Sequence, residues 1–231
     1  MKNYDVLIFD ADQTLFDFLR AEREALRLSM LDYKLAYDES YHLPIYKRVN
    51  HEVWDALEKG EITAKALKSE RFRRFFEALS MEIDPTSFAK TYQEHLANGS
   101  YIYEGYEQLI EALSKEYTLL IITNGLSSVQ SKRIRQSTIA HYFKDIIISE
   151  DVGVAKPDPK IFNEAFKVVG DVDKCRMLMI GDSLTSDIQG GINAGIDTCW
   201  YNPNKKEKPE SVTPTYEVYN LFDLKRVIGD E

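Results

Sequence analysis

The stretch YDVLIFDADQTLF, residues 4–16, places two aspartates directly after a short apolar run. Residues 4–9 have the composition of a buried β-strand, because strands buried on both faces are near-continuous apolar runs. Two acidic residues after a strand could form a solvated turn. Residues two apart in a strand point to the same side, so Asp10 and Asp12 could instead reach the same substrate. The rest of the chain has to decide between these interpretations.

Four further apolar runs indicate that this strand belongs to a parallel sheet: residues 118–123, 145–149, 176–180 and 198–201. Helical stretches lie between them, at residues 127–136, 159–169 and 184–194. Such alternation implies right-handed βαβ units. We therefore predict an α/β fold with a Rossmann-like parallel sheet covered by helices on both faces, in which ligands bind beyond the carboxyl ends of the strands.

Residues 17–100 interrupt this alternation. They are rich in Glu, Lys, Arg, Leu and Ala and contain no convincing strand, which predicts several helices. We predict a core domain of residues 1–16 and 101–231, with a helical cap domain of residues 17–100 inserted after the first strand. The two connections, near residues 16–19 and 100–105, are candidate hinges.

Composition narrows the classes of partner. With 44% hydrophobic and 29% charged residues among 231, the chain has ordinary globular composition. A net charge of -9 disfavours binding to a nucleic acid polymer or an acidic membrane. Without a secretion signal or a membrane-length apolar run, we expect a cytoplasmic monomer or homodimer. The two cysteines, Cys175 and Cys199, are expected to be buried, reduced thiols.

Polar residues follow the predicted strands at one edge of the sheet. They are Asp10 and Asp12, Thr123 and Asn124, Lys156, and Asp182 and Asp187. Two carboxylates about 4 Å apart repel by roughly 4 kcal/mol at an effective dielectric of 20, so the four aspartates need a cation or raised pKa values. Oxygen ligands favour a hard ion, and Mg²⁺ suits a site that also binds a phosphate. Lys156, Thr123 and nearby backbone amides could donate to that phosphate.

In order along the chain, DADQT, TNG, the lysine of AKPDP and GDSLTSD resemble the four motifs of the haloacid dehalogenase superfamily of phosphohydrolases. The resemblance implies a core domain with a C1-type helical cap and a bound Mg²⁺. It departs from the family at Gln13, where most members have glycine.

The resemblance also implies a role for each strand-end residue. Asp10 would form an aspartyl-phosphate and bind Mg²⁺, and Asp12 would act as general acid and base, with its backbone carbonyl on the metal. Asp182 would complete the protein ligands of the metal, and Asp187 would orient metal-bound water or Lys156. The phosphoryl group would be held by Thr123, Asn124 and Lys156.

Longer stretches are similar to a subgroup, the noncanonical pyrimidine 5'-nucleotidases: DADQTLFDF, IITNG, ISEDVGVAKPDPKIF and GDSLTSDIQGGINAGIDTCWYNP. This similarity implies hydrolysis of pyrimidine nucleoside monophosphates. Residues 17–100 match more loosely, and most of their aromatic residues should be core. As substrate contacts we suggest Phe16, Phe18, Tyr46, Asn50 and Trp54.

Other functions fit parts of the pattern. A phosphatase for a small sugar phosphate or phosphoglycolate, or a mutase like β-phosphoglucomutase, would share the core residues. A dehalogenase would not need the carboxyl group of Asp12, because halide leaves without a proton. A phospho-accepting signalling domain would be about half this length and would need no helical insert.

Two further patterns have simple structural interpretations. The glycines of residues 190–195 lack dinucleotide-binding spacing, so we assign them to packing and to a helix C-cap. No spacing among the histidines predicts a metal site. They are His42, His51, His95 and His141.

Overall fold

The computed structural model describes residues 3–229. In that part of the chain the strands are β1 (Val6–Phe9), β2 (Thr118–Thr123), β3 (Phe143–Ile148), β4 (Met177–Gly181), β5 (Asp197–Tyr201) and β6 (Tyr216–Val218). The α-helices are α1 (Phe18–Asp32), α2 (Glu39–Glu58), α3 (Ala64–Ala78), α4 (Pro85–Asn98), α5 (Tyr106–Ser114), α6 (Ser127–Arg135), α7 (Ser149–Val152), α8 (Lys160–Val169), α9 (Gln189–Ala194) and α10 (Leu224–Ile228).

The strands form one parallel sheet in the order β3-β2-β1-β4-β5-β6. Side chains of β1 alternate between two apolar layers: Leu7 and Phe9 face one, whereas Val6 and Ile8 face the other. Helices α5 and α10 contribute to the first layer and α8 to the second. The predicted α/β fold with helices on both faces is confirmed.

Three details differ from the sequence predictions. The edge strand β6 was missed, because three residues give too short a pattern to recognise. The predicted helix 184–194 is a π-helical turn, Leu184–Ile188, followed by α9. Cys199 is buried as predicted, but the prediction for Cys175 is wrong, because that thiol is exposed.

The chain divides into two compact units. One is formed by the described residues up to Phe18 together with those from Ser100 onward, and the other is Leu19–Gly99. The second unit is helical, and three of its helices begin after a capping side chain that accepts a hydrogen bond from the first turn. These caps are Asp38 for α2, Thr63 for α3 and Asp84 for α4.

An aromatic cluster fills the core of the helical unit, as predicted. Its ring centroids lie 4.8–5.8 Å apart. The cluster contains Tyr46, Phe72, Phe75, Phe76, Phe88 and Tyr92, all of which are buried. Throughout residues 3–229, no helix is both long enough and apolar enough to cross a membrane.

Candidate active site

The candidate site lies at the carboxyl end of β1, which runs between β2 and β4. Asp10 directly follows this strand, and its backbone N–H donates to the carbonyl oxygen of Ile180 at 2.8 Å. This bond keeps the backbone of Asp10 beside β4 after the β1 strand has ended. The side chain of Asp10 is buried, so its charge requires a partner within the protein.

Lys156 supplies that partner. Its Nζ lies 2.6 Å from Oδ1 of Asp10, 2.7 Å from Oδ1 of Asp187 and 2.6 Å from the carbonyl oxygen of Ile122. An ammonium group has three N–H donors, so each donor can meet one of these oxygens. Burial would lower the pKa of Lys156, but the carboxylates of Asp10 and Asp187 outweigh burial and raise it. Lys156 therefore remains charged and joins the two acids.

The side chain of Asn124 fixes the backbone of Lys156. Its Oδ1 accepts from the N–H of Lys156 at 2.9 Å, and its Nδ2 donates to the carbonyl oxygen of Lys156 at 2.9 Å. These two bonds tie the loop before α8 to the end of β2. The side chain of Asn124 therefore positions Lys156, and a contact between the backbone N–H of Asn124 and a phosphate stays a prediction.

Three carboxylates form a compact group at this edge of the sheet. One oxygen each of Asp10, Asp182 and Asp187 lies within 4.8 Å of the other two. Burial, with Asp187 and Asp182 adding to it and Lys156 opposing it, raises the pKa of Asp10 well above its ordinary value. Burial and the charge of Asp187 raise the pKa of Asp182 to about 7.

This group fits a divalent cation. When ionised, three carboxylates beside the single ammonium of Lys156 leave two negative charges, which is the charge that Mg²⁺ would neutralise. The donors are oxygens, and hard cations such as Mg²⁺ prefer oxygen ligands. Burial is the main cause of the raised pKa values of Asp10 and Asp182, and the neighbouring carboxylates add to it, so a bound cation would favour the ionised form of both.

The chain around Asp187 provides a backbone donor and space for its carboxylate. Oδ2 of Asp187 accepts from the backbone N–H of Ser183 at 2.9 Å, while Oδ1 meets Lys156. A Cβ atom on Gly181 would lie 2.3 Å from Oδ2 of Asp187. Glycine is required at position 181 because the carboxylate occupies the space of a side chain.

Asp12 has different partners. Its Oδ2 accepts from Nε2 of Gln130 at 2.8 Å, and its Oδ1 forms an ion pair with the guanidinium of Arg133. The same Nε2 of Gln130 donates to Oγ1 of Thr123 at 2.9 Å. The side chain of Asp12 thus has its own partners, which differ from those of Asp10.

A family model described as haloacid dehalogenase-like hydrolase matches residues 7–201, the greater part of the chain. The chain belongs to the haloacid dehalogenase-like hydrolase family. Pyrimidine 5'-nucleotidase PynA of Streptococcus pneumoniae is 39% identical over 222 residues, 96% of this chain and 93% of the relative. Pyrimidine 5'-nucleotidase YjjG of Escherichia coli is 36% identical over 225 residues, 97% of this chain and 98% of the relative.

A solved member of this hydrolase family has the same fold. The HAD-hydrolase YfnB of Bacillus subtilis, crystallised with bound magnesium, superimposes with a TM-score of 0.92 at 37% identity. The match covers 98% of this chain and 99% of YfnB. The chain is therefore a hydrolase of this family over essentially its whole length.

The backbone at Gln13 adopts a conformation that favours glycine. Gln13 has a φ of 63°, in the left-handed region that strains residues other than glycine. The hydroxyl of Tyr103 donates to Oε1 of Gln13 at 3.1 Å, which offsets part of that strain. Glutamine therefore keeps the turn that a glycine would form more readily.

The suggested substrate contacts fall in both units. The rings of Phe16 and Phe18 flank the guanidinium of Arg133, with centroids 5.2 and 5.3 Å from its Cζ. In the helical unit, Trp54 is partly exposed. Tyr46 belongs to the aromatic core, and its hydroxyl donates to Tyr92 at 2.8 Å. That packing gives Tyr46 a structural role, so we withdraw it as a substrate contact.

Asn50 bridges two buried charges of the helical unit. Its Nδ2 donates to Oε1 of Glu22 at 3.1 Å, and its Oδ1 accepts from Nη1 of Arg71 at 3.2 Å. Both Glu22 and Arg71 are buried. Contact of Asn50 or Trp54 with substrate stays a prediction.

Sequence reasoning missed the two residues that hold Asp12. Gln130 and Arg133 are three apart on α6, so they lie on one face of the helix that follows the TNG motif. The signal that the sequence offers is a polar pair on the first turns of the helix after a strand-end motif. In sequence, that pair is indistinguishable from an ordinary solvated helix face.

Proposed function

We propose that this hydrolase is a magnesium-dependent phosphomonoesterase that forms a covalent aspartyl-phosphate, an acyl phosphate, on Asp10. The observation that carries the proposal is the buried ion pair of Asp10 with Lys156, set within the carboxylate group of Asp182 and Asp187. A carboxylate nucleophile next to a fixed cation is suited to attack an anionic phosphoryl group. Mg²⁺, held by Asp10, Asp182 and the backbone carbonyl of Asp12, would neutralise phosphoryl charge.

In the first half of the proposed reaction, a carboxylate oxygen of Asp10 attacks phosphorus. A bond forms between that oxygen and phosphorus while the bond from phosphorus to the substrate's alcohol oxygen breaks. The proton of Asp12 passes to the departing oxygen, so the alcohol leaves neutral. Lys156 would exchange its bond to Asp10 for one to a phosphoryl oxygen as that carboxylate attacks, because its three donors are otherwise used. Thr123 donates to a second phosphoryl oxygen.

The second half restores the enzyme. The carboxylate of Asp12 takes a proton from water, and the water oxygen attacks phosphorus. The bond from phosphorus to Asp10 breaks, which releases inorganic phosphate and leaves Asp12 protonated for the next cycle. Asp10 and Asp12 thus divide nucleophilic and acid–base catalysis between them.

Pyrimidine nucleoside 5'-monophosphates are the proposed substrates. PynA and YjjG, both named pyrimidine 5'-nucleotidases, support this choice because each is similar to this chain over nearly its whole length. We further propose that Leu19–Gly99 is a cap domain that selects the substrate and closes about its two connections. The orthorhombic crystal form of YfnB, described as revealing interdomain movement, supports a mobile cap.

Phosphate release across a substrate panel tests the proposal. The panel contains UMP, dUMP, dTMP, purine monophosphates, phosphoglycolate and sugar phosphates, each assayed with Mg²⁺ and with EDTA. We expect fast, EDTA-sensitive release from the pyrimidine monophosphates. Activity confined to phosphoglycolate or sugar phosphates would refute the nucleotidase assignment, and a requirement for a sugar bisphosphate to prime turnover would indicate a mutase.

Asp10→Asn supplies the mechanistic control. The variant should lose turnover while keeping its fold, because an amide of nearly the same shape cannot form the acyl phosphate. Asp171→Asn, at an exposed position, is the matched change and should behave like the unaltered protein. Near-normal activity of Asp10→Asn would refute the nucleophile assignment.

A further inference from the structure

Each carboxylate oxygen of Asp12 has its own side-chain donor. Oδ2 accepts from Nε2 of Gln130 at 2.8 Å, and Oδ1 accepts from Nη2 of Arg133. Two donors on two different oxygens fix both the position of a carboxyl group and the plane in which it lies. The orientation of Asp12 is therefore set from α6.

The amide of Gln130 can adopt only one orientation in this arrangement. Its Oε1 lies 2.6 Å from Nη2 and 3.2 Å from Nε of Arg133, and arginine can only donate. The Oε1 atom must therefore face Arg133, which turns Nε2 toward Asp12 and Thr123. Gln130 is buried, so water cannot readily replace these contacts.

Arg133 is held equally firmly. It is 0% exposed, and its guanidinium lies against the rings of Phe16 and Phe18. Stacking on aromatic rings and hydrogen bonding in the guanidinium plane act together on one rigid group. Phe16 and Phe18 therefore support Arg133 and, through it, Asp12.

The glycine of the TNG motif provides independent support. A Cβ atom on Gly125 would lie 2.8 Å from Cγ and 3.0 Å from Nε2 of Gln130. The space that a larger residue would fill at position 125 is thus used by the side chain of Gln130. The loop after β2 is shaped to admit the residue that orients Asp12.

We propose that Gln130 and Arg133 are positioning residues, which hold the carboxyl group of Asp12 where it meets the oxygen of the leaving group. This inference rests on the proposed function, because it assumes that Asp12 delivers a proton to that oxygen. Neither residue is expected to touch the substrate. Their loss should harm the reaction in proportion to how much the leaving group needs a proton.

A comparison of two substrates distinguishes the positioning role of Gln130 and Arg133 from a general structural role. The alcohol of dUMP requires a proton to leave, whereas p-nitrophenolate leaves p-nitrophenyl phosphate without one. We would measure single-turnover nucleoside release from dUMP and the pre-steady-state burst of p-nitrophenol. The variants are Gln130→Met and Arg133→Met, with Arg135→Met as control, because Arg135 is exposed on the same helix.

We expect both variants to slow nucleoside release by about 100-fold and the p-nitrophenol burst by less than about threefold. Arg133→Lys should recover part of the loss, and Arg135→Met should change neither rate. Equal losses on both substrates, or no loss on either, would overturn the proposal. Faster nucleoside release would also overturn it, because α6 would then restrain Asp12 instead of positioning it.

Crystal structures of the two variants test the positioning role independently of the proposed function. We expect the carboxyl group of Asp12 to leave its present position when Gln130 or Arg133 is replaced. An unmoved Asp12 in both variants would refute the positioning role even if the enzyme is an active nucleotidase. A displaced Asp12 in a protein that hydrolyses neither substrate would refute the proposed function and leave the positioning contact intact.

Discussion

Nζ of Lys156 and Oδ1 of Asp10 lie 2.6 Å apart, and their side chains are only 1% and 10% exposed. A charge-assisted hydrogen bond this well shielded from water is stronger than an exposed ion pair. The proposed nucleophile and its nearest cation therefore form one buried unit. Asp187 completes that unit, because it shares the same ammonium group.

Replacing Lys156 should be severe for catalysis. We expect Lys156→Ala to lower kcat by about 1,000-fold or more, because phosphoryl charge in a site shielded from water is left without its fixed cation. Steady-state phosphate release measures the effect, and Lys160→Ala, at an exposed position, is the control. A loss below about tenfold would mean that Lys156 does not contact the phosphoryl group.

Gly181→Ala tests the packing around Asp187. The new Cβ would lie 2.3 Å from Oδ2 of Asp187, so the carboxylate must move away from Ser183 and Lys156. Because small displacements in an active site are costly, we expect kcat to fall by about 100-fold. Gly153→Ala is the comparison, since its Cβ would meet no neighbour and only its φ of 78° is strained. Equal activity of the two variants would contradict the expected displacement.

The raised pKa of Asp182 predicts how the folding stability of the protein depends on pH. Because its pKa is about 7 in the folded protein and near 4 when unfolded, the folded state binds more protons between those values. Stability should then fall as pH rises from about 4 to about 7 in metal-free protein. Asp182→Asn removes this titration, so in EDTA it should raise the melting temperature more at pH 8 than at pH 5.

Thermal unfolding of both proteins at the two pH values measures the difference, which we expect to be a few degrees. Added Mg²⁺ should stabilise the unaltered protein at pH 8, since a ligand bound only by the folded state raises its stability. The same addition should have less effect on Asp182→Asn. An equal effect of that substitution at both pH values would contradict the assigned titration.

Asn50 should contribute to the stability of the helical unit. Asn50→Ala removes one hydrogen bond each from the buried side chains of Glu22 and Arg71, which we expect to cost about 1–3 kcal/mol. Urea unfolding compares it with Asn98→Ala, at an exposed position near the end of α4. If both variants unfold at the same urea concentration, the bridge makes no net contribution.

The central part of the fold could be predicted because each piece carries a local pattern. Apolar runs marked β1, β2 and β4, and the polar residues after them had to meet at one edge of a parallel sheet. The same reasoning brings Asp10, Lys156 and Asp182 together, as the structure does. The position of a residue after a strand therefore predicts where that residue lies in the folded protein.

Other features depend on packing that no local pattern records. Gln130 and Arg133 are polar residues on a helix, and only the tertiary fold turns them inward to Asp12. Likewise, Tyr46 could have faced a substrate or a core, and the neighbouring rings of Phe72 and Phe75 decide for the core. Sequence patterns give the position of a residue along the chain, whereas the direction of its side chain depends on tertiary packing.

Trapping the phosphorylated enzyme tests the central claim most directly. Protein mixed with dUMP and Mg²⁺ would be quenched in acid within milliseconds, digested and analysed by mass spectrometry. We expect one phosphoryl group on the peptide that contains Asp10, reduced to background in Asp10→Asn. A burst of released nucleoside with the phosphoryl group on a different residue, or with no phosphorylated peptide at all, would contradict an acyl phosphate on Asp10.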